Sequence, residues 1–167
     1  MKFYAGIGSR ETPAFIWGCM QARALILASQ GYTLRSGAAT GADFFFERGA
    51  LEGHGSTEIY LPWRNYNKHP STLLPTPEAF LMAEQFHPAW HQLSRGGRCL
   101  HARNSHIIMG ADLKTPVEFV LFWTRDGKAS GGTGQALRIA QHYGIPTELI
   151  TDSCVENPTQ NATLGSP

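Results

Sequence analysis

The sequence predicts one α/β domain with a Rossmann-like open sheet, mostly parallel, and helices on both faces. Strand-like and helix-like segments alternate along the 167 residues, which is the pattern of a parallel sheet connected by helices. The strand-like segments are apolar rather than alternately polar and apolar, as in strands covered on both faces. Because ~100–200 residues usually form one domain, we expect a domain over residues 1–151. Residues 152–167 are polar and lack periodicity, so we expect a disordered C-terminal tail there.

The chain opens with a strand and a helix. Residues 3–8 form a short apolar segment that ends in glycine. Thr12 and Pro13 then provide an N-cap and a first helical residue, and Gly31 provides the end of the helix. Apolar side chains at steps of three and four residues predict the buried face of this helix. They are Phe15, Cys19, Ala22 and Ile26.

The remaining elements continue the alternation. In the first half, we expect strands over residues 32–35 and 57–61 on either side of a helix from residue 42 to residue 51. Residues 117–123 form the clearest strand, which is almost continuously apolar, and residues 147–151 form the last. In the second half, the helix-like segments are residues 77–86, 88–93, 98–109 and 135–143.

The composition and net charge of the chain argue against a dedicated nucleic-acid binder, a membrane protein and a secreted protein. The 14 Lys and Arg residues nearly balance the 13 Asp and Glu residues, which gives a net charge of +1, whereas dedicated nucleic-acid binders usually carry a basic excess on one face. The three cysteines are far apart and lack Cys-x-x-Cys spacing, which is typical of free thiols in a reducing compartment. No apolar run reaches the ~18 residues of a membrane span, and no signal-peptide layout precedes the first strand. We therefore expect a cytoplasmic protein with no membrane partner.

Glycine-rich loops follow the predicted strands. Ligands of an open parallel sheet bind beyond the carboxyl ends of its strands, and glycine lets the backbone come close to an anion. A tight turn after one strand would also need glycine, but three glycine-rich loops at one edge predict a phosphate or nucleotide site. The glycines concerned are eight of the 18, namely Gly6, Gly8, Gly37, Gly41, Gly127, Gly131, Gly132 and Gly134.

Several familiar motifs are missing from the sequence. The P-loop pattern G-x-x-x-x-G-K-[ST] does not occur, and Glu11 stands where a dinucleotide fold has its third glycine. There is no G-x-S-x-G nucleophile elbow and no H-E-x-x-H zinc motif. His87 and His91 are four residues apart, but no third metal ligand accompanies them. The sequence therefore predicts no metal and no cofactor.

Three segments resemble the Rossmann-like domain of the DprA/Smf family. They are Gly-Ile-Gly-Ser-Arg at residues 6–10, Ser-Gly-Ala-Ala-Thr-Gly-Ala-Asp at residues 36–43, and Arg103-Asn104 followed by Gly110. More broadly they resemble the SLOG superfamily, which contains the LONELY GUY (LOG) phosphoribohydrolases. Ser-Gly-Gly-Thr-Gly at residues 130–134 resembles the second glycine motif of LOG proteins. The resemblance implies a ligand with a phosphate and a ribose, and a homo-oligomer, because members of the superfamily commonly pair.

The resemblance also implies which residues contact the ligand. Residues 8–10 would line the floor of the site, residues 36–41 would approach the nucleotide, and residues 131–134 would hold its phosphate. From the residues themselves, Trp63, Tyr66 and Trp123 are suited to stack a base, and Trp63 beside Arg64 is favoured; the alternative for Trp123 is a place in the core. Arg103 is suited to clamp a phosphate unless it forms a salt bridge on its helix. The predicted ligand-binding residues are Gly8, Ser9, Arg10, Ser36, Gly37, Gly41, Trp63, Arg64, Arg103, Asn104, Thr124, Gly131, Gly132, Thr133 and Gly134.

Three carboxylates are candidates for catalysis. Hydrolysis of an N-glycosidic bond passes through an oxocarbenium-like sugar, which a carboxylate near the anomeric carbon stabilises. Asp43 and Glu47 are four residues apart at the start of the second helix and so share a face, and Asp126 follows the clearest strand. The alternatives are a helix-start carboxylate for Asp43 and a solvated acid paired with Arg48 for Glu47. Where LOG enzymes carry a catalytic glutamate, this chain has Arg138.

These patterns leave three functions open. The first is a nucleotide-binding protein that hydrolyses the N-glycosidic bond of a nucleoside monophosphate or related nucleotide. The second is a non-catalytic sensor or sequestering protein for a nucleotide-derived signal, which the arginine in place of the LOG glutamate favours. The third is single-stranded DNA binding of the DprA type, with steep salt dependence and a basic rim of Arg10, Arg35, Arg64 and Arg103. The near-neutral charge favours a small nucleotide or nucleotide derivative over nucleic acid as the partner.

Overall fold

The described residues of the computed structural model, 1–128 and 131–152, form one five-stranded sheet in which every strand pair is parallel. Along the sheet the strands run in the order β3-β2-β1-β4-β5. Their bounds are β1 Lys2–Gly8, β2 Tyr32–Ser36, β3 Thr57–Ile59, β4 Phe119–Trp123 and β5 Thr147–Leu149. The order reverses between β1 and β4, which is where an open α/β sheet has its ligand crevice. The Rossmann-like α/β fold predicted from the sequence is confirmed.

The α-helices cover both faces of this sheet. Within the described chain they are α1 Ala14–Ser29, α2 Ala42–Glu52, α3 Pro77–Phe86, α4 Arg95–Met109 and α5 Gly131–His142. The side chain of Tyr4 packs in a core with α1 and α2, whereas its neighbour Ala5 packs in a second core with α4 and α5. Successive residues of β1 therefore enter two different cores, as expected for a strand that is buried on both sides.

The face of α1 that packs inward differs from the predicted one. Cys19 is buried as expected, but Phe15 is 64% exposed and Ala22 is exposed as well. The prediction was wrong because α1 is apolar nearly all round, so steps of three and four residues can be drawn along more than one face. The buried residues of α1 are Ile16, Cys19, Met20, Arg23, Ala24 and Leu27.

Three helices begin at other residues than predicted. α4 begins at Arg95, three residues before the predicted start, with the Ser94 hydroxyl accepting from the Gly97 amide as its N-cap. Pro13 occupies the N-cap position of α1, and the Thr12 hydroxyl donates to the Ser9 carbonyl oxygen at 2.7 Å instead of capping the helix. α5 begins at Gly131, four residues before the predicted start. The glycine motif is therefore the first turn of α5 rather than a loop before it, and its backbone amides lack partners within the helix.

Three further predictions concern a short helix, the C-terminal tail and membrane-spanning segments. The predicted helix over residues 88–93 is a single 3-10 turn, Trp90–Gln92. Residues 153–167 of the predicted tail lie outside the described residues, so the boundary between domain and tail stays a prediction. Among the described residues, no helix combines the length and the apolar composition needed to cross a membrane.

Candidate functional site

A cavity of about 590 Å³ lies at the carboxyl edge of the sheet, between the loops that follow β1 and β4. The starts of α2 and α5 and the middle of α4 close its other sides. The sequence-predicted site residues that line it are Gly8, Ser9, Arg10, Asp43, Arg103, Asn104, Thr124, Asp126, Gly131, Gly132 and Thr133. The structure thus brings together residues that are more than a hundred positions apart in the chain. Their roles in binding or catalysis stay predictions.

The floor of the cavity depends on a close approach of three backbone segments at Gly8. A Cβ atom on this residue would lie 2.6 Å from the Trp123 carbonyl oxygen and 2.7 Å from the Ala42 Cβ. Only glycine therefore lets β1, β4 and the start of α2 meet at this point. The next residue, Ser9, turns the chain, because its hydroxyl oxygen accepts a hydrogen bond from the Glu11 amide at 3.0 Å.

Arg103 of α4 is the buried cation of the cavity. Its side chain is 7% exposed, and its Nη1 donates to the Gly37 carbonyl oxygen and lies 3.7 Å from the Asp43 carboxylate. Its Nε is buried without a hydrogen-bond partner among the described residues. A Cβ atom on Gly37 would overlap the guanidinium, so glycine at that position makes room for the arginine. A buried donor without a partner costs about 1–3 kcal/mol.

Asp43 is buried beside this arginine at the start of α2. It is 4% exposed, and its Oδ2 accepts a hydrogen bond from the Ala39 amide at 3.3 Å. Burial raises the pKa of Asp43 to about 6, although the Arg103 charge and backbone hydrogen bonds act in the opposite direction. The predicted alternative, a carboxylate that accepts from backbone amides, therefore describes part of what Asp43 does. The sequence did not predict that Asp43 is buried at the wall of the cavity; only the fold shows this.

Asn104 holds the first turn of α5 in place. Its Nδ2 donates to the Gly132 carbonyl oxygen at 2.9 Å, which ties α4 to the glycine motif. Gly131, the first residue of α5, has a φ of +57°, in the left-handed region that favours glycine. The free amides of a helix start attract anions. The cavity therefore has a guanidinium on one side and a helix N-terminus on another.

The mouth of the cavity is polar and exposed. Arg125 donates to Glu11 at 3.0 Å, and this ion pair, which is mostly exposed, joins the loops after β4 and β1. Asp126 is also exposed and accepts a hydrogen bond from the Lys128 amide at 3.1 Å. The hydroxyl of Thr124, which is buried, donates to the Lys128 carbonyl oxygen at 2.9 Å. The predicted carboxylates Asp43 and Asp126 thus face the cavity from its floor and from its mouth.

Several predicted site residues lie outside the cavity lining and support it from behind. Ser36 is fully buried, and its hydroxyl donates to the Gly6 carbonyl oxygen at 2.6 Å. Gly41 has a φ of +81°, and a Cβ atom there would lie 2.6 Å from the Ser9 carbonyl oxygen. Glycine at this position therefore lets two loops approach each other closely. Gly134 is buried within α5.

The other predicted residues outside the lining are held by different partners or face solvent. Glu47 accepts a hydrogen bond from His69 Nε2 at 2.8 Å, rather than pairing with Arg48. Trp63 is 42% exposed and contacts Tyr66 edge-on with ring centroids 5.1 Å apart. Arg64 is exposed. The structure therefore does not bring these three side chains into the cavity.

The predicted basic rim is wrong at Arg35. This residue is 2% exposed, with Nε donating to Glu58 at 2.7 Å and Nη1 donating to the Thr115 carbonyl oxygen at 2.6 Å. Its guanidinium also lies 3.8 Å from the centre of the Phe3 ring. The sequence places Arg35 near the end of a strand, at the edge of the sheet where a ligand was predicted. Its guanidinium instead makes its contacts in the interior of the protein.

Sequence reasoning missed two neighbouring residues of the cavity wall. They are Leu100 and His101 of α4, which line the cavity together with Tyr66, one of the aromatic residues predicted to stack a base. Leu100 is three residues before Arg103, and His101 is three residues before Asn104, so both share a helix face with a predicted site residue. This three-residue spacing from a predicted site residue is the sequence signal that could have identified Leu100 and His101. Among the described residues, no group of three His, Cys, Asp or Glu side chains is arranged to hold a metal ion.

Comparisons with known proteins show similarity of fold. No protein-family model matches this sequence, and no curated protein matches it as a relative. Among solved structures, the chain is similar to DNA processing protein A (DprA) from Helicobacter pylori, described for its unique single-stranded DNA binding mode, with a TM-score of 0.57 and 18% sequence identity. The match covers 89% of this chain and 64% of that protein. The DprA-like Rossmann-like fold implied by the sequence motifs is thereby confirmed, and the likeness to SLOG and LOG proteins stays a prediction.

Proposed function

We propose that this chain is a nucleotide-binding protein whose cavity holds one phosphate-bearing nucleotide unit. The observation that carries the proposal is Arg103, a guanidinium buried at the cavity with an Nε atom that has no partner among the described residues. Phosphate accepts the charge-assisted hydrogen bonds that such a guanidinium donates. The first turn of α5, held by Asn104, offers backbone amides to the same anion.

The size of the cavity supports a single small ligand. Its volume of about 590 Å³ lies within the ~300–1,000 Å³ usual for small-molecule sites. Three arginines line the cavity, Arg10, Arg103 and Arg125, together with three acids, Glu11, Asp43 and Asp126. A phosphate held by amides and one buried guanidinium needs no basic surface, which agrees with a net charge of +1.

Hydrolysis of the N-glycosidic bond is the reaction that we assign to this site if the bound nucleotide turns over. Asp43 is the carboxylate for the developing positive charge on the sugar. Although burial raises the pKa of Asp43 to about 6, this value is below neutral pH, so Asp43 carries a negative charge there. Asp126 at the mouth is the second carboxylate, whereas Glu47, paired with His69, has no role in this proposal. Binding without turnover makes the protein a sensor or sequestering protein instead.

Single-stranded DNA binding is the second candidate, and the fold similarity to H. pylori DNA processing protein A favours it over glycosidic hydrolysis. In this version the cavity receives one nucleotide of a strand, and exposed arginines contact the neighbouring phosphates. Arg10 and Arg64 are exposed and available for this purpose. Arg35 is buried in its own ion pair and contributes nothing. The reduced rim predicts a shallower salt dependence than the sequence suggested.

One set of titrations tests both candidates. The purified chain is titrated by calorimetry with AMP, GMP, CMP, UMP, NAD and cyclic nucleotides, and by fluorescence anisotropy with a labelled single-stranded oligodeoxynucleotide. We expect Arg103→Met to weaken nucleotide binding by about 10- to 100-fold, since hydrogen bonds to charged groups contribute ~1.5–3 kcal/mol. Arg48→Met, which removes an exposed arginine outside the cavity, is the matched control and should bind normally.

The outcomes separate the candidates. Release of free base that disappears in Asp43→Asn supports hydrolysis, and a bound but unchanged nucleotide supports the sensor. Oligonucleotide binding that weakens in Arg103→Met and Arg64→Met and falls with salt supports the DNA candidate. If no mononucleotide and no oligonucleotide binds, or if Arg103→Met binds as tightly as Arg48→Met, the proposed function is wrong.

A further inference from the structure

His101 is a polar side chain of the cavity wall that the proposed phosphate site does not use. It lies on α4, is 8% exposed and lines the cavity. Its Nδ1 is buried without a hydrogen-bond partner among the described residues. The ring contacts His87 at a centroid distance of 4.4 Å, in a tilted arrangement that involves no hydrogen bond. A buried imidazole nitrogen without a partner is costly, and His101 is a polar side chain of the cavity lining that a bound ligand would meet.

The imidazole is neutral at physiological pH. Burial lowers the pKa of His101 to about 4, and the positive charges of His87, Arg138 and Arg103 act in the same direction. A neutral imidazole has one N–H donor and one acceptor nitrogen. It is therefore suited to an uncharged group that carries both donors and acceptors, and it adds no positive charge for a phosphate.

The surroundings of His101 match a nucleobase. Leu100 precedes it on α4, and Tyr66, from the segment after β3, also lines the cavity. Tyr66 is held by the Trp63 ring and by the neighbouring Asn67, whose Nδ2 donates to the Ala38 carbonyl oxygen at 2.9 Å. An aromatic and an apolar side chain beside a neutral donor–acceptor are the features that stack a base and read its edge. His101 lies one helical turn before Asn104, which marks the phosphate end of the cavity.

We propose that Tyr66, Leu100 and His101 form a base-binding wall in which His101 hydrogen-bonds the edge of the nucleobase and so determines which base is accepted. This inference rests on the proposed function, because it needs a nucleotide whose phosphate is held at Arg103 and α5. The base of the nucleotide is thereby assigned to Tyr66, Leu100 and His101, and its phosphate to Arg103 and the start of α5.

The test compares ligands that share a phosphate and differ in the base. Binding of AMP, GMP, CMP, UMP and ribose 5-phosphate is measured by calorimetry for the wild type, His101→Phe and His101→Gln. We expect His101→Phe, which keeps a flat ring without nitrogen, to weaken the preferred nucleotide about tenfold and to leave ribose 5-phosphate unchanged. His101→Gln retains a donor and an acceptor and should change the order of preference among the bases. His91→Phe, at an exposed histidine, is the control.

The results distinguish this inference from the function on which it rests. If the wild type binds no nucleotide, the proposed function is wrong and the inference falls with it. If the wild type binds nucleotides but both His101 variants leave every affinity unchanged, only the inference is overturned. An equal loss for ribose 5-phosphate and for the nucleotides also overturns it, because His101 would then act at the phosphate or on the shape of the cavity. Should His101→Phe fail to fold, His101→Gln alone decides by the same criteria.

Discussion

Arg35 in β2 and Arg103 in α4 are both buried, 2% and 6% exposed respectively, but they are partnered in opposite ways. Arg35 donates to Glu58 and to the Thr115 carbonyl oxygen and lies over the Phe3 ring. Arg103 donates to the Gly37 carbonyl oxygen, stands 3.7 Å from Asp43 and leaves its Nε without a partner in the described part of the chain. The first arginine is satisfied by the fold, and the second is not.

This difference separates an arginine whose donors are used within the fold from a cavity-lining arginine that keeps one donor without a partner among the described residues. A satisfied buried ion pair has no capacity left for a further anion, whereas an unsatisfied guanidinium at a cavity gains free energy when an anion arrives. Each arginine also has a glycine beside it, Gly110 for Arg35 and Gly37 for Arg103. The two regions therefore form a matched pair for mutation.

The largest effect on stability is expected from Arg35→Met. Removing one partner of a buried ion pair costs ~3–5 kcal/mol, and because Glu58 is 31% exposed at its side chain we expect about 3 kcal/mol. Arg103→Met should cost less, since Asp43 can take up a proton when the guanidinium is lost. The free energy of unfolding in urea measures both, with Arg48→Met as the exposed control. Equal losses for Arg35→Met and Arg103→Met would remove the distinction between the two arginines.

The second effect is a pH dependence that comes from the carboxyl group beside Arg103. In the folded protein the pKa of Asp43 is about 6, whereas an aspartate in an unfolded chain titrates near ~3.9. Between these values the folded state holds a proton that the unfolded state has lost, so stability falls as the pH rises from about 4 to about 6, by roughly 2–3 kcal/mol. The stability difference between the wild type and Asp43→Asn, measured across this range, should follow that slope. If this difference did not depend on pH, the charge of Arg103 would fully offset the effect of burial on the pKa of Asp43.

The third effect contrasts the two glycines. Gly110 has a φ of +80°, and a Cβ atom there would lie 2.8 Å from the Thr115 carbonyl oxygen and 3.0 Å from the Arg35 guanidinium. With a ψ of 177°, Gly110 is in a backbone conformation that is essentially open to glycine alone, so Gly110→Ala should lower stability by about 1–3 kcal/mol. Gly37→Ala should instead displace Arg103 and weaken nucleotide binding, with a smaller change in stability. Thermal unfolding and calorimetric titration of both variants check this, and the reverse pattern would contradict it.

The smallest effect is expected at the mouth of the cavity. The Arg125–Glu11 ion pair is mostly exposed on both sides, and exposed pairs contribute less than about 1 kcal/mol. Glu11→Gln should leave the unfolding free energy nearly unchanged and strengthen anion binding about twofold, because a carboxylate leaves the path of the anion. The gain should shrink with added salt, since exposed charges are screened. A large change at constant salt would mean that the mouth, rather than Arg103, dominates the binding of anions.

The glycine-rich segments show how far the candidate site could be predicted. Their positions after strands located the cavity, and Gly8 and Gly131 lie in its lining. Gly37 and Gly41 lie behind it, where one makes room for Arg103 and the other for the loop after β1. Glycine in a sequence signals a close approach of the backbone to something. It does not reveal whether that neighbour is a ligand, a side chain or another loop.

The alternation of apolar strands and helices could be predicted from the sequence, and with it a parallel sheet and the edge at which the cavity lies. These features follow from local periodicity and short-range turn chemistry, which each segment carries alone. Which arginine lines the cavity and which face of α1 is buried emerged only from the packing of distant segments. Arg35 meets a partner 80 residues away and Arg103 a partner 66 residues away. The satisfaction of a buried charge depends on such distant neighbours, and no local pattern records them.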